Sequence, residues 1–152
     1  MLQKFRSLLK NEKGLTLIEL LAVVVILGII AAIAVPSIGA LIDNSKKDAH
    51  VANAQQMVNS ARLAITANVD VVDSEGKVTL AKLISEDFIE TIEDPDNGSY
   101  DTTDSYVIIE NGEVDQVRLV NDTRGIFTET GGVAVSSLNR ESVTKLSDEE
   151  TE

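Results

Sequence analysis

The stretch Leu20–Val35, LLAVVVILGIIAAIAV, decides the fold of this chain, because it contains sixteen consecutive residues without a charged side chain. The run extends on both sides, so that Glu19 is the only ionisable residue from Leu15 to Ile42. As a helix, residues 15–42 span roughly 40 Å, and the hydrocarbon core of a bilayer is about 30 Å thick. A small domain cannot cover such a helix on all sides, so the segment predicts a membrane helix rather than a buried core helix.

The two sides of this segment carry opposite charge. Residues 1–14 hold four basic side chains against one acid, a net charge of +3, and residues 15–152 hold nine against 24, a net charge of −15. A basic start before a long apolar run orients a membrane helix with its N-terminus in the cytoplasm. The acidic part then lies outside, and its charge argues against direct binding of nucleic acid through phosphate contacts.

The sequence lacks the residues of several common chemistries. It contains no cysteine, so neither a disulfide nor a cysteine metal site can stabilise the acidic part. It also contains no G-x-S-x-G, H-E-x-x-H, P-loop or dinucleotide-binding pattern. The composition therefore predicts a structural or binding protein and not an enzyme.

Three interpretations of the N-terminal segment are open. An ordinary signal peptide is supported by Ala32-Ile33-Ala34, which fits the A-x-A cleavage pattern after an apolar stretch. A permanent anchor explains the hydrophobicity but gives Glu19 no role, and an acid deep in hydrocarbon costs about 2.5–3.5 kcal/mol. The third interpretation, a precursor cut just before the apolar helix, rests on the residues that precede the run.

The string Lys13-Gly14-Leu15-Thr16-Leu17-Ile18-Glu19 resembles the class III signal of type IV prepilins. In that family a basic leader and a glycine precede a hydrophobic residue, more often Phe than Leu, then Thr-Leu-Ile-Glu and the apolar helix. The resemblance implies cleavage between Gly14 and Leu15 by a prepilin peptidase and N-methylation of Leu15. It also implies that Glu19 pairs with the new α-amine of a neighbouring subunit, since a carboxylate in an apolar environment needs a partner.

Gly28 and Pro36 match positions between which the helix is locally extended in related filaments. Pro36 has no N–H, so the carbonyl of Ala32 loses its helical partner. An ordinary proline kink, which membrane helices tolerate, is the alternative interpretation. We therefore predict that Glu19, Gly28 and Pro36 serve filament assembly.

The resemblance implies a structural subunit of a type IV pilus or pilus-like filament. Its partners would be further copies of itself, the prepilin peptidase and methylase, the membrane, and an assembly platform with ATPase-driven machinery. One alternative is a pseudopilin of a type II secretion or competence DNA-uptake machine. An alternative of another class is a secreted acidic binding protein with a conventional signal peptide.

The predicted organisation has four parts. A leader peptide occupies residues 1–14, a transmembrane and filament-core helix residues 15–43, an outer pilin-like domain residues 44–146, and an acidic tail residues 147–152. The precursor is predicted to cross the cytoplasmic membrane once, with its N-terminus inside. After assembly the mature chain is predicted to lie in an extracellular surface filament.

Residues 44–68 continue the helical pattern, now with a single apolar face. Apolar residues recur there at alternating steps of three and four: Val51, Ala54, Val58, Ala61 and Ile65. We predict that this stripe packs on the outer domain. His50, the only histidine, is predicted to lie on the surface of this helix.

The rest of the outer domain predicts a small antiparallel sheet, so the expected fold class is α+β. Asn111-Gly112 separates Tyr106–Glu110 from Val114–Val120, the pattern of a hairpin with a two-residue turn. Thr79 is predicted to cap a short helix over Leu80–Ile84. Further turns or loops are predicted by polar and glycine-rich stretches at Asp73–Lys77, Asp94–Gly98, Thr123–Gly125 and Gly131-Gly132.

One group of side chains suggests Ca²⁺: Asp94, Asp96, Asn97, Asp101 and Asp104. Carboxylate and amide oxygens suit Ca²⁺, and the major pseudopilins of type II secretion, which resemble pilins, hold it in an outer loop. The spacing is not that of an EF-hand, however, and acidic loops are usually solvated. We therefore expect no metal and no cofactor, with these five residues as the candidates if Ca²⁺ does bind.

Overall fold

The computed structural model describes residues 16–146. The chain divides into two compact units, the first ending at Leu41 and the second, the outer unit, beginning at Ile42. The predicted leader, Leu15 and the acidic tail lie outside the described residues. The boundaries predicted for the four parts of the chain therefore stay predictions.

A 50-residue helix, α1 (Leu17–Thr66), begins the described chain. It continues through Gly28 and Pro36 without interruption. Every Leu, Ile and Val between Leu17 and Ile42 is exposed, and the least exposed of them is Val23 at 46%. This helix is long and apolar enough to span a membrane.

From His50 onward, α1 has one buried side. The buried residues recur at the helical period: His50, Ala54, Met57, Val58, Ala61 and Ala64. Val51 and Ile65, also predicted to lie on the stripe, are partly buried against the same core. The predicted amphipathic packing of this part of the helix is confirmed.

Within residues 16–146 the outer unit contains six strands, all paired antiparallel: β1 (Lys77–Thr79), β2 (Tyr106–Glu110), β3 (Glu113–Val120), β4 (Arg124–Ile126), β5 (Val133–Ala134) and β6 (Val143–Lys145). The sheet order is β1-β2-β3-β4-β6, and β5 also pairs with β3. Helix α2 (Leu80–Ser85) follows β1, and two 3₁₀ turns, Val135–Ser137 and Arg140–Ser142, precede β6. The predicted α+β fold class is confirmed.

The predicted hairpin between β2 and β3 is also confirmed. Asn111 and Gly112 both have positive φ, 52° and 82°, as a type I′ turn requires. The pairing matches Val107 with Val117 and shifts after Ile108, where β3 has one extra residue. Such a bulge interrupts the strict alternation of apolar side chains.

The turn predicted at Thr123-Arg124-Gly125 is misplaced, because Arg124 and Gly125 belong to strand β4. The turn instead forms around Asn121, whose Oδ1 accepts the N–H groups of Thr123 at 2.8 Å and Arg124 at 2.7 Å. Gly125 serves the close approach of β3 and β4, since a Cβ there would lie 2.7 Å from the carbonyl oxygen of Leu119. A glycine is required at position 125 because the two strands approach closely there, and not because the chain turns.

Thr79 caps α2 as predicted, because its side chain accepts the N–H of Lys82 at 3.2 Å. Helix α2 then contributes Leu80 and Leu83 to the core shared by α1 and the sheet. The largest completely or almost completely buried apolar side chains of this core are Met57, Leu80, Leu83, Leu119 and Ile126. Because this core is small and almost wholly aliphatic, we expect each buried side chain of α1 to contribute appreciably to the stability of the outer unit.

We expect Met57→Ala to destabilise the outer unit by about 2–5 kcal/mol, since it removes a buried side chain from a close-packed site. Gln56→Ala, one residue earlier on the exposed side, should change stability by about 0.5 kcal/mol or less. Urea unfolding of the detergent-solubilised chains, followed by circular dichroism, would measure both. Equal effects of the two substitutions would contradict the packing of α1 on the sheet.

Candidate functional site

Thr16 and Glu19 form a closed hydrogen-bond pattern at the start of α1. Glu19 Oε2 accepts from the N–H of Thr16 at 2.8 Å and from its hydroxyl at 2.7 Å. The N–H of Glu19 in turn donates to Thr16 Oγ1 at 3.2 Å. This is a capping box, which satisfies donors that the first helical turn leaves unpaired. The sequence signal for it is the Thr-x-x-Glu pattern of residues 16–19.

Both of these bonds to the carboxylate end on Oε2. The second oxygen, Oε1, makes no hydrogen bond within residues 16–146. Glu19 can therefore cap its own helix and still offer an oxygen to a cationic partner. The structure adds a role within the chain to the role between subunits that the resemblance implies.

The other predicted assembly residues do not converge on Glu19. Gly28 and Pro36 both lie within α1, and Pro36 is about 26 Å along the helix from Glu19. A Cβ at Gly28 would meet nothing within 4 Å in this chain. The cleavage residues Gly14 and Leu15 lie outside the described residues. The roles of all five positions stay predictions.

A second candidate site is a buried polar cluster in the outer unit, which we call the His50 cluster: His50, Asp94, Asp96, Tyr100, Asn121 and Arg124. His50 comes from α1, Asp94, Asp96 and Tyr100 from the segment between α2 and β2, and the other two from the end of β3 and from β4. His50 is completely buried, so the prediction that it lies on the surface was wrong. The missed signal is its position four residues before Ala54, on the buried stripe.

A chain of hydrogen bonds runs through this cluster. Asn53 Nδ2 donates to the carbonyl of Glu93 at 2.9 Å and to Tyr100 Oη at 3.0 Å. Tyr100 Oη lies 2.7 Å from His50 Nδ1, and His50 Nε2 lies 2.9 Å from Asp96 Oδ2. Because the tyrosine hydroxyl accepts from Asn53, it can give its own hydrogen to Nδ1. Since the Asp96 carboxylate can only accept, His50 Nε2 carries a hydrogen and donates it to Asp96.

Two cations contact Asp96, and a neutral amide contacts Asp94. Lys46 Nζ donates to Asp96 Oδ1 at 3.2 Å. Arg124 Nε lies 2.9 Å from Asp96 Oδ2 in an ion pair without hydrogen-bond geometry. Asp94 accepts Asn121 Nδ2 with both oxygens at 2.8 Å. The buried carboxylates are thus paired by groups of the same chain, as buried charges must be.

Arg124 also ties the cluster to α1, since its Nη1 donates to Asp43 at 2.9 Å. The same part of the helix is held by Arg140, which contacts Asp48 with two nitrogens at 2.7 and 2.5 Å. These contacts join residues 81 and 92 positions apart in the chain. The arrangement fixes the first turns of the outer part of α1 against the sheet side of the outer unit.

Distance alone permits a metal ion in this cluster, because ligand atoms of His50, Asp94 and Asp96 lie within 4.8 Å of one another. The chemistry of the donor set favours a different role. The imidazole carries a hydrogen on Nε2, the nitrogen that faces both aspartates and would have to bind the ion. Lys46 and Arg124 already supply the positive charge that a cation would bring. The observed contacts therefore support a structural network.

The remaining Ca²⁺ candidates lie elsewhere. Asp101 accepts the N–H groups of Thr103 and Asp104, both at 2.8 Å, in a local turn. Asp104 pairs with Arg118 of β3 at 2.7 Å. Asn97 is exposed, with a φ of 65°. Of the five predicted candidates, the structure brings only Asp94 and Asp96 into one cluster.

Comparison with known proteins identifies the N-terminal segment. Residues 9–35 match the family model described as the prokaryotic N-terminal methylation motif, the class III signal of type IV pilins. The matched range includes Gly14, Leu15, Glu19 and Gly28, and it ends one residue before Pro36. No curated protein and no solved structure matches the chain. The resemblance to type IV prepilins is confirmed, and the motif supports a pilin-like or pseudopilin protein.

The His50 cluster sets the ionisation of two of its members. Burial would raise the pKa of Asp96, but hydrogen bonds from His50, Lys46 and Asn121, together with Arg124, hold it at about 2 against an ordinary 3.8. Burial raises the pKa of the Tyr100 hydroxyl. Asp96 is therefore charged and Tyr100 neutral at physiological pH.

A carboxyl group whose pKa is lower in the folded chain than in the unfolded chain stabilises the fold. This contribution is complete above the unfolded-state pKa and is lost as the pH falls to the folded-state pKa. Asp96 should thus contribute on the order of 2 kcal/mol at neutral pH, lost between about pH 4 and about pH 2. Urea unfolding at several pH values should show that Asp96→Asn is less stable than wild type above that window and that the difference shrinks within it.

Asp115→Asn, at an exposed position of β3, serves as the matched control and should follow the wild-type curve throughout. A difference between wild type and Asp96→Asn that does not change with pH would contradict the assigned ion pairs.

Proposed function

We propose that this chain is the precursor of a structural subunit of a type IV pilus or pilus-like surface filament, assembled through α1. One observation carries the proposal. The methylation motif at residues 9–35 coincides with the start of a helix whose large apolar side chains are exposed from Leu17 to Ile42. A signal for processing and a surface that requires partners thus occupy the same segment.

Processing begins with cleavage between Gly14 and Leu15 by a prepilin peptidase. Gly14 has no side chain, so its backbone can enter a narrow protease cleft. The cut removes a leader of net charge +3 and creates an α-amine at Leu15, which is then methylated. The new cation lies four residues before Glu19.

The apolar segment has two environments available to it. Before assembly it spans the cytoplasmic membrane, with the outer unit on the far side. After assembly it is surrounded by the same segments of other copies in an extracellular filament. Each Leu, Ile or Val gains about 1.5–3 kcal/mol on leaving water, and the gain is similar in lipid and among helices. The transfer between the two environments therefore has little net apolar cost.

Glu19 gives this otherwise apolar contact its specificity. Its Oε1 is available for the α-amine of Leu15 in a neighbouring copy, while Oε2 caps its own helix. A buried carboxylate without a partner is costly, so the paired arrangement is favoured over other alignments of the helices. An assembly platform in the membrane and its ATPase-driven machinery supply the work of assembly.

The outer unit has a structural role in this proposal, without catalysis, cofactor or nucleic-acid binding. In the His50 cluster, Asp96 is paired with Lys46 and Arg124, and Asp94 accepts from Asn121, so we expect folding not to depend on Ca²⁺. The surplus of acids keeps the surface soluble and repels phosphate backbones.

We expect Glu19→Ala and Glu19→Gln to insert into the membrane normally but to form no filaments. Removing the charge makes insertion easier, and the amide oxygen of Gln can still accept from Thr16 and keep most of the helix cap. Membrane fractionation and electron microscopy of the same cells measure both properties. Abundant filaments from Glu19→Gln would contradict the pairing with the amine and leave only the capping role.

We expect no Ca²⁺-specific stabilisation. The melting temperature of the detergent-solubilised chain should be the same in EDTA, in Ca²⁺ and in Mg²⁺ at constant ionic strength, apart from a screening effect common to both ions. A rise with Ca²⁺ concentration that Mg²⁺ does not reproduce and that Asp96→Ala abolishes would reveal a binding site. It would also favour a Ca²⁺-dependent pseudopilin.

A further inference from the structure

Two basic side chains of the outer unit have no acidic partner in their own chain. Residues 42–146 carry nine basic side chains and 19 acidic ones. Seven of the nine lie within ion-pair distance of a carboxylate of the same chain. Within residues 16–146 the other two, Arg62 and Lys145, contact no carboxylate at that distance. Both are exposed, so both can bind a group outside the chain.

Arg62 lies close to the C-terminal end of α1, where the helix passes the hairpin of β2 and β3. With Glu113, the first residue of β3, it lines a groove of about 350 Å³ that also includes Ile65 and Val114. Glu113 is exposed and forms no ion pair within the described residues. We call this region the Arg62 end. It offers one cation and one anion beside apolar side chains.

The second unpaired cation lies at the opposite end of the outer unit. Lys145 of β6 pairs in register with Arg124 of β4, and Asp122, also exposed, lies in the turn just before β4. Arg124 donates to Asp43 at 2.9 Å, so this region, the Lys145 end, lies beside the first outer residues of α1. Asp43 and Arg62 are separated by about 28 Å along the helix.

We propose that the Arg62 end of one copy of this chain binds the Lys145 end of the next copy. In this contact Arg62 faces Asp122 of the next copy. Lys145 of that copy in turn faces Glu113. The inference rests on the proposed function, because it concerns copies in a filament, and it specifies a contact between their outer units.

The charges of the two ends favour this arrangement over others. Each end presents one cation and one anion, so a cation meets an anion at both positions of the contact. Elsewhere the outer unit presents mainly unpaired acids, and two copies repel each other where such surfaces meet. A contact between two different surfaces leaves one of each free at the ends of the pair, so it can repeat along an open filament.

These ion pairs serve specificity more than affinity. Exposed ion pairs contribute little to binding, whereas like charges brought face to face oppose it. The apolar segment of α1 therefore supplies the attraction between copies. The paired ends select the position along the filament axis at which neighbouring outer units meet.

Charge reversal tests the proposal. Arg62→Glu places a carboxylate against Asp122 of the next copy, and Asp122→Lys places an ammonium group against Arg62. We expect each single variant to lose most of its filaments and the double variant to recover them, because the double variant restores the pair with its charges exchanged. Electron microscopy of sheared filaments measures the yield. Urea unfolding in detergent should show wild-type stability for all three, since neither side chain is paired in its own chain.

A matched control separates position from net charge. Glu93 is exposed, and its carbonyl accepts from Asn53, about midway between Asp43 and Arg62 on α1. Arg62→Glu with Glu93→Lys has the net charge of the double variant but should not recover filaments.

Three results would overturn the proposal: normal filaments from either single variant, no recovery by the double variant, or equal recovery by the control. Lack of filaments from the wild-type chain would instead contradict the proposed function, so the two failures are distinguishable.

Crosslinking tests the contact without changing its charges, because the chain contains no cysteine. Thr66→Cys places a thiol in the groove of the Arg62 end, and Thr144→Cys places an exposed thiol next to Lys145. The two are too far apart to be joined within one chain by a short bis-maleimide. Filaments of the double variant should therefore give a ladder of covalent multimers, and filaments with Thr66→Cys and Glu93→Cys should not. Single chains only, or equal ladders from the two variants, would overturn the proposal.

Discussion

The apolar surface of α1 must leave water, and the chain itself does not provide the cover. Within residues 16–146, each large aliphatic side chain from Leu17 to Ile42 is at least 46% exposed. Burial of each of these side chains is favourable by about 1.5–3 kcal/mol, so this surface provides a large driving force for membrane insertion or association with other helices. A membrane and a bundle of like helices are two environments that would cover this surface, and the methylation motif at residues 9–35 overlaps the same segment.

The outer part of α1, from His50 onward, differs from the apolar segment because its apolar residues lie on one side only, and that side packs on the sheet. Small residues such as Ala54, Ala61 and Ala64 pack on an aliphatic core. At the N-terminal end of that stripe, His50 takes the place of an apolar residue and joins a network with Tyr100, Asp96 and Arg124. Aliphatic packing allows several similar arrangements, whereas a connected polar network allows few, so we regard this cluster as the feature that fixes α1 on the sheet.

The fold was predictable where the signal was local. The uncharged run, the stripe after Val51, the Thr79 cap and the Asn111-Gly112 turn each lie within a few neighbouring residues, and the structure contains all of them. The His50 cluster was not predictable in this way, because Asp96 and Tyr100 lie 46 and 50 residues from their partner. The burial of His50 could nevertheless have been predicted, because His50 lies in line with the buried stripe of α1. The turn predicted at Gly125 was wrong because the sequence alone does not distinguish a glycine required by strand packing from a glycine required by a turn.

The N-terminus of the mature chain tests the central claim most directly, because it distinguishes the three interpretations of the apolar segment. The measurement is the intact mass of the chain purified from cells that contain a prepilin peptidase, with Gly14→Val as the control for cleavage. The account predicts the mass of residues 15–152 with one added methyl group, and an uncut chain from the control. A wild-type chain that begins at Val35 would show an ordinary signal peptide, and an uncut wild-type chain would show a permanent anchor. Either result would contradict the account.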